Sequence, residues 1–215
     1  RDGTPELPAF IAETGGQNAM IVDSSSLPEQ VVDDAIHSAF LSAGQRCSAL
    51  RVLYLQDDIA GSVIEMLKGA MRELTIGYPW EASTDFGPVI DKRAQNRLLA
   101  HIERMKKEAV LHYACEMPPG IERGTFVTPH LVELDSIKQL PTEVFGPVLH
   151  VIRFNKSTVE QLIDEINSTG FGLTLGVHSR IENFADLVIK RTRVGNNYIN
   201  RNIVGAVVGI QPFGG

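Results

Sequence analysis

The sequence predicts an α/β fold with a mostly parallel sheet flanked by helices, and three observations carry that prediction. Short β-rich runs alternate with longer runs whose apolar residues recur at helical spacing, the order that crossover helices between parallel strands produce. The 215 residues suffice to bury a core, as one domain over 1–215. Composition is that of an ordinary globular chain, with no internal repeat, no low-complexity segment and no Gly-x-Gly-x-x-Gly fingerprint.

Each element follows from local pattern. Residues 18–23, Asn-Ala-Met-Ile-Val-Asp, read as a buried strand. Residues 28–43 place Val31, Val32, Ala35, Ile36, Ala39 and Phe40 near helical spacing until Gly44 breaks the run. Residues 50–55 are a strand, and 59–74 a helix closed by Gly77-Tyr78-Pro79-Trp80. Residues 91–109 form a helix capped by Asp91, with a solvated face of Arg, Lys and Glu, leading into a strand over 110–114. Pro118-Pro119-Gly120 is a loop. Residues 126–134 read as a strand interrupted at Pro129, which places it at an edge or a bend. The strand 148–154, helix 157–168, strand 173–178, helix 181–193 and strand 194–199 complete the alternation before a Gly-rich tail.

Three motifs carry candidate chemistry. Gly44-Gln45-Arg46-Cys47-Ser48-Ala49 displays a thiol at the hinge between a helix and a strand, beside an arginine that favours thiolate, the form that attacks carbonyl carbon. Taken alone, Cys47 also fits a small buried hydrophobe, and Arg46 an outward-facing helix-end side chain. Ile11-Ala12-Glu13-Thr14-Gly15-Gly16-Gln17-Asn18 sets a carboxylate before paired glycines at the mouth of a sheet, where a general base or a solvated turn residue would stand. Thr142-Glu143-Val144-Phe145-Gly146-Pro147 puts a carboxylate and an aromatic ring two residues apart. If the segment is extended, both face one side, suited to ribose hydroxyls and a flat heterocycle; a turn with Phe145 in the core is the alternative.

The order and spacing of these motifs resemble the aldehyde dehydrogenase superfamily. Glu13 precedes Cys47 by 34 residues, the family separation of base and nucleophile, and Glu-x-Gly-Gly, Gly-Gln-x-Cys, Glu-x-Phe-Gly-Pro and Pro212-Phe213-Gly214-Gly215 follow in family order. The finer wording, including Gly205-Ala206-Val207-Val208-Gly209, is most similar to the glutamate semialdehyde (pyrroline-5-carboxylate) dehydrogenase branch found as a module in bifunctional proline utilisation proteins. The resemblance implies Cys47 as nucleophile and Glu13 as general base. It implies Glu143, Phe145 and Thr14 on the NAD side, and Ser48, Gly205 and Ala206 as anchors for the substrate's amino acid head group. Phe213 becomes an aromatic wall, with a core role under the tail as its alternative. The family's Rossmann domain and an oxyanion-hole asparagine are supplied upstream of Glu13. The chain is therefore expected to be a catalytic-domain fragment of a longer, homo-oligomeric polypeptide, inactive in isolation, with any FAD confined to a proline dehydrogenase domain outside it.

Composition narrows the rivals. A net charge of −6 with mixed signs gives no footprint for nucleic acid or anionic lipid. No apolar run approaches the ~20 residues of a membrane span, and the polar start Arg1-Asp2-Gly3 carries no signal-peptide core. Two cysteines, neither in a Cys-x-x-Cys pair, make no disulfide framework and fit a reducing, cytoplasmic setting, with Cys115 a structural or surface thiol. Six scattered histidines predict no metal site. A cysteine hydrolase would need a histidine facing Cys47, and an assembly domain would not need the Glu13, Cys47 and Glu143 set.

Overall fold

The computed structural model describes residues 12–121, 123–207 and 209–215. The polar start Arg1-Asp2-Gly3, Ile11 and Val208 lie outside the described residues. Strands β1 (Asn18–Val22), β2 (Leu50–Gln56), β3 (Val110–Ala114), β4 (His130–Leu134), β5 (Val148–Phe154), β6 (Thr174–His178) and β7 (Asn196–Ile199) form one sheet in the order β3-β4-β5-β2-β1-β6-β7. Every neighbouring pair is parallel except β3 with β4. Helices α1 (Pro28–Phe40), α2 (Asp57–Arg72), α3 (Lys92–Glu108), α4 (Val159–Ser168) and α5 (Glu182–Arg191) join them.

The central strands β1, β2 and β6 are buried along their whole length, which is why they read as near-continuous apolar runs rather than alternating ones. Helix ends follow local chemistry. Pro28 opens α1, where its missing N–H has no intrahelical partner to lose. Asp57 and Asp58 lie in the first turn of α2 and Arg72 in its last, matching the helix dipole. The Asp91 carboxylate accepts from Ala94 N at 2.7 Å and caps α3 as predicted.

Two expectations are corrected. The helix predicted over 28–43 ends at Phe40, because Ser42, Ala43 and Gly44 take left-handed φ values of 57°, 54° and 66° in a 3-10 turn that redirects the chain. The strand predicted over 126–134 starts only at His130. Pro129 has no N–H for the ladder, and its carbonyl instead accepts from Cys115 N at 3.0 Å. It marks a bend and not an edge, since β4 lies between β3 and β5.

One polar network crosses the core beneath β2. His150 Nδ1 lies 2.9 Å from the Arg51 carbonyl, which can only accept, so Nδ1 carries the proton and Nε2 is the acceptor. His101 Nε2, at 2.9 Å from His150 Nε2, must then donate, leaving its own Nδ1 to face Arg104 at 3.5 Å. Both rings must be neutral for this chain of bonds to hold. Burial depresses His150 to about 3 and His101 to about 4, and likewise His178 to about 4, from an ordinary 6.5. Burial lowers His130 as well, and Asp34 near His178, pushed up by burial, works in the opposite sense as one group against four.

An imidazole depressed in the folded state binds protons first in the unfolded chain, so stability is fully present above pH 6.5 and drains as pH falls towards the folded values. The urea midpoint is expected to be level from about pH 7 to 8 and to fall steadily from about pH 6.5 to 5. Urea titrations across that range check it, and a flat profile down to about pH 5 would contradict the neutral-histidine network.

Candidate active site

The candidate residues gather on one edge of the sheet. Glu13 precedes β1, Cys47 precedes β2, and Glu143 with Phe145 precede β5, and these three parallel strands are neighbours in the order β5-β2-β1. The loops entering them therefore lie side by side at the amino-terminal edge.

The Cys47 turn is held by its backbone. Asn18, buried at the head of β1, donates to the Cys47 carbonyl at 2.7 Å and the Ala49 carbonyl at 2.8 Å, while its own Oδ1 accepts from Thr174 N at 3.1 Å. Gly16 packs so closely beneath that a Cβ there would collide with the Cys47 carbonyl, which explains the second glycine of the Glu13 motif. Gln45 ties the turn to a neighbouring loop by accepting from Ile90 N at 2.7 Å. Arg46 is half-buried, and its Nε donates to Ser42 Oγ at 3.1 Å, so it folds back over the turn.

Cys47 itself is partly exposed, unlike a core thiol. With Gln45, Arg46, Ser48, Gly205, Ala206 and Phe213 it lines a pocket of about 370 Å³. The structure thus brings the predicted nucleophile together with all four predicted substrate-side residues. Phe213 is 43% exposed, against the alternative of a core side chain. Gly205 has φ 96°, a conformation open to glycine and strained for other residues. None of the six histidines lines this pocket. Glu13 does not line it either. The Glu13 carboxylate is exposed and accepts from Gly215 N at 3.1 Å, which sets it against the end of the same tail that carries Phe213. Asn196 pins that tail by donating to the Pro212 carbonyl at 2.7 Å. Thr14 is exposed beside Glu13.

Glu143 and Phe145 line a separate cavity of about 510 Å³ with residues of α3, among them Arg97 and His101. Phe145 is 40% exposed and so does not belong to the core. One Glu143 oxygen, Oε1, pairs with Arg51 Nη2 at 3.1 Å. The other, Oε2, lies near Gly15, where a Cβ would come within 2.6 Å of it and push the end of the Glu143 side chain aside. Arg51 is 1% exposed, and its guanidinium also sits 5.0 Å from the centre of the Phe145 ring. Burial pulls the guanidinium below its ordinary value, while the Glu143 carboxylate pulls the other way.

Sequence reasoning missed Asn18, Gln45 and Arg51. For Arg51 a signal existed: an arginine within the apolar run Leu-Arg-Val-Leu-Tyr-Leu must find acceptors if the strand is buried. Cys115 resolves as structural, buried with its thiol donating to the Met71 carbonyl at 3.2 Å and pushed up to about 11 by burial. Among the described residues, no group of three or more His, Cys, Asp or Glu could hold a metal ion, and no helix is long and apolar enough to cross a membrane.

Against known proteins, the model of the aldehyde dehydrogenase family matches residues 2–215. The chain belongs to that family. Among individual aldehyde dehydrogenase relatives, the bifunctional protein PutA of Klebsiella aerogenes is 54% identical over 211 residues, covering 96% of this chain and 16% of PutA. A crystal structure of bifunctional proline utilization A superimposes with a TM-score of 0.90 at 57% identity, covering 94% of this chain and 20% of that one. The 1-pyrroline-5-carboxylate dehydrogenase from Thermus, solved with bound NAD, gives a TM-score of 0.82 at 33% identity, over 94% of this chain and 39% of that one. This aldehyde dehydrogenase segment therefore spans about a sixth of the length of the curated PutA relatives it matches.

Proposed function

We propose that this segment carries the nucleophile and the base of an NAD-dependent glutamate semialdehyde (1-pyrroline-5-carboxylate) dehydrogenase that acts in proline catabolism within a longer polypeptide. The observation that carries the reading is the single pocket in which Cys47 meets Ser48, Gly205, Ala206 and Phe213. Backbone N–H groups suit the α-carboxylate, the small side chains leave room for the head group, and the phenyl ring suits the aliphatic stem between it and the aldehyde. Likeness to PutA at 54% identity and to a Thermus dehydrogenase of that name supports the choice of substrate.

The residues on the other cavity fit a nicotinamide nucleotide. Glu143 keeps Oε2 clear of Arg51 for the ribose hydroxyls, and the open ring of Phe145 offers a face for the nicotinamide. When bound, that cofactor supplies the hydride acceptor. The Cys47 sulfur adds to the aldehyde carbon, and the resulting oxyanion is held by the Cys47 backbone N–H. Loss of hydride leaves a thioester on Cys47. Glu13 takes a proton from the water that cleaves it, releasing carboxylate and restoring the thiol. By family resemblance, Thr14 serves the cofactor beside Glu13.

Three outcomes follow for the intact polypeptide. Cys47→Ala is expected to abolish NAD reduction by glutamate semialdehyde in a steady-state absorbance assay, because no other thiol reaches the pocket; retained turnover would sink the assignment. Glu13→Gln is expected to preserve a first-turnover burst of NADH in stopped flow while steady turnover drops about 10²-fold or more, since only deacylation needs the base. Equal loss of both phases would move Glu13 to another role. Glutamate semialdehyde is expected to exceed an unsubstituted aliphatic aldehyde of similar length by at least about tenfold in kcat/KM, as a head group left out strands polar groups in the pocket. Comparable values would favour a general aldehyde dehydrogenase.

A further inference from the structure

Arg51 touches both halves of the site while lining neither cavity. Its Nη1 donates to the carbonyls of Gly44 at 2.6 Å and Gly146 at 3.4 Å, and its Nη2 to the Arg46 carbonyl at 3.1 Å and the Glu143 carboxylate at 3.1 Å. Gly44 and Arg46 belong to the nucleophile turn; Glu143, Phe145 and Gly146 belong to the other loop. The two loops also meet directly, for a Cβ on Gly44 would collide with the Gly146 carbonyl. A planar guanidinium with several donors in fixed directions can serve these acceptors together, whereas an ammonium cannot.

We propose that Arg51 is a positioning residue that locks the Cys47 turn and the Glu143-Phe145 loop into one rigid unit, so that each cavity reports on the state of the other. This rests on the reading of Glu143 as the ribose-side residue. The coupling has a direction that can be measured: freeing Arg51 from Glu143 releases the donor shared with the Arg46 carbonyl, one residue before the thiol.

The test uses the intact polypeptide without cofactor. Cys47 alkylation by iodoacetamide is followed by site-resolved mass spectrometry in the wild type, Glu143→Gln, Arg51→Lys and the double variant, beside NAD affinity by calorimetry and melting temperature. Glu143→Gln, which alters no residue of the Cys47 pocket, is expected to change the alkylation rate by at least about threefold. Arg51→Lys is expected to weaken NAD binding by about tenfold and raise KM for NAD more than it lowers kcat. The double variant is expected to bind NAD no worse than Glu143→Gln alone, because Arg51 acts through Glu143. An unchanged alkylation rate in Glu143→Gln, or additive losses in the double variant, would overturn the Arg51 role. If Glu143→Gln binds NAD as well as the wild type, the ribose-side reading itself is overturned. Should Arg51→Lys fail to fold, the alkylation rate of Glu143→Gln still decides the coupling.

Discussion

Loops that approach the entry edge of a buried sheet bring carbonyl groups into the interior where no strand is available to pair with them. Left bare, each such carbonyl costs more than a made hydrogen bond returns. In this chain side chains supply much of what is missing. Asn18 serves Cys47 and Ala49, Thr174 serves Ser48, and Arg51 serves Gly44 and adds a second donor to the Arg46 and Gly146 carbonyls, which also accept from Ala49 N and Val148 N. The glycines follow from the same constraint: Gly16 and Gly44 let backbone approach backbone at the distances that these donors require. The backbone that carries the Cys47 thiol is thus fixed by groups around its carbonyl.

The edge that holds the site is the amino-terminal edge of the parallel strands, opposite to the carboxyl ends where ligands of open α/β sheets usually bind. Crossover helices run back against the strands, so this edge receives their carboxyl termini. The Cys47 turn follows directly from the end of α1 and its 3-10 extension. The dipole there disfavours negative charge. A thiolate, a carboxylate base and a ribose-binding carboxylate on such an edge need cations close by, and Arg46 and Arg51 stand there. An edge of this polarity is also a poor seat for a pyrophosphate, in accord with a sequence that carries no dinucleotide fingerprint.

Much of the architecture was legible because its cues are local. Strands β3 and β5 match their predicted limits, and Asp91 caps α3 as its position implied. The misjudged boundaries arise where tertiary demands override the local pattern. Ala43 continues the helical spacing of α1, yet the chain turns left-handed one residue earlier, at Ser42, to bring Gly44 against Gly146. Pro129 disfavours pairing from either side, and only the assembled sheet shows that the strand beyond it is internal. The candidate site divides the same way. Cys47, Glu13, Glu143 and Phe145 were visible as motifs, whereas the side chains that hold them make bonds that span as many as 156 residues of sequence.

The two cysteines differ in kind, and that difference turns the protein into its own gauge. Cys47 is partly open, while Cys115 is sealed under α2 with its thiol held near 11. At neutral pH an alkylating reagent reaches the first from the native state and the second only after the structure opens. Mass added at position 47 thus reads the readiness of the cleft, and mass added at position 115 counts excursions to the unfolded chain. Both clocks run in one tube, so a substitution that blunts chemistry can be told from one that merely shortens the life of the fold.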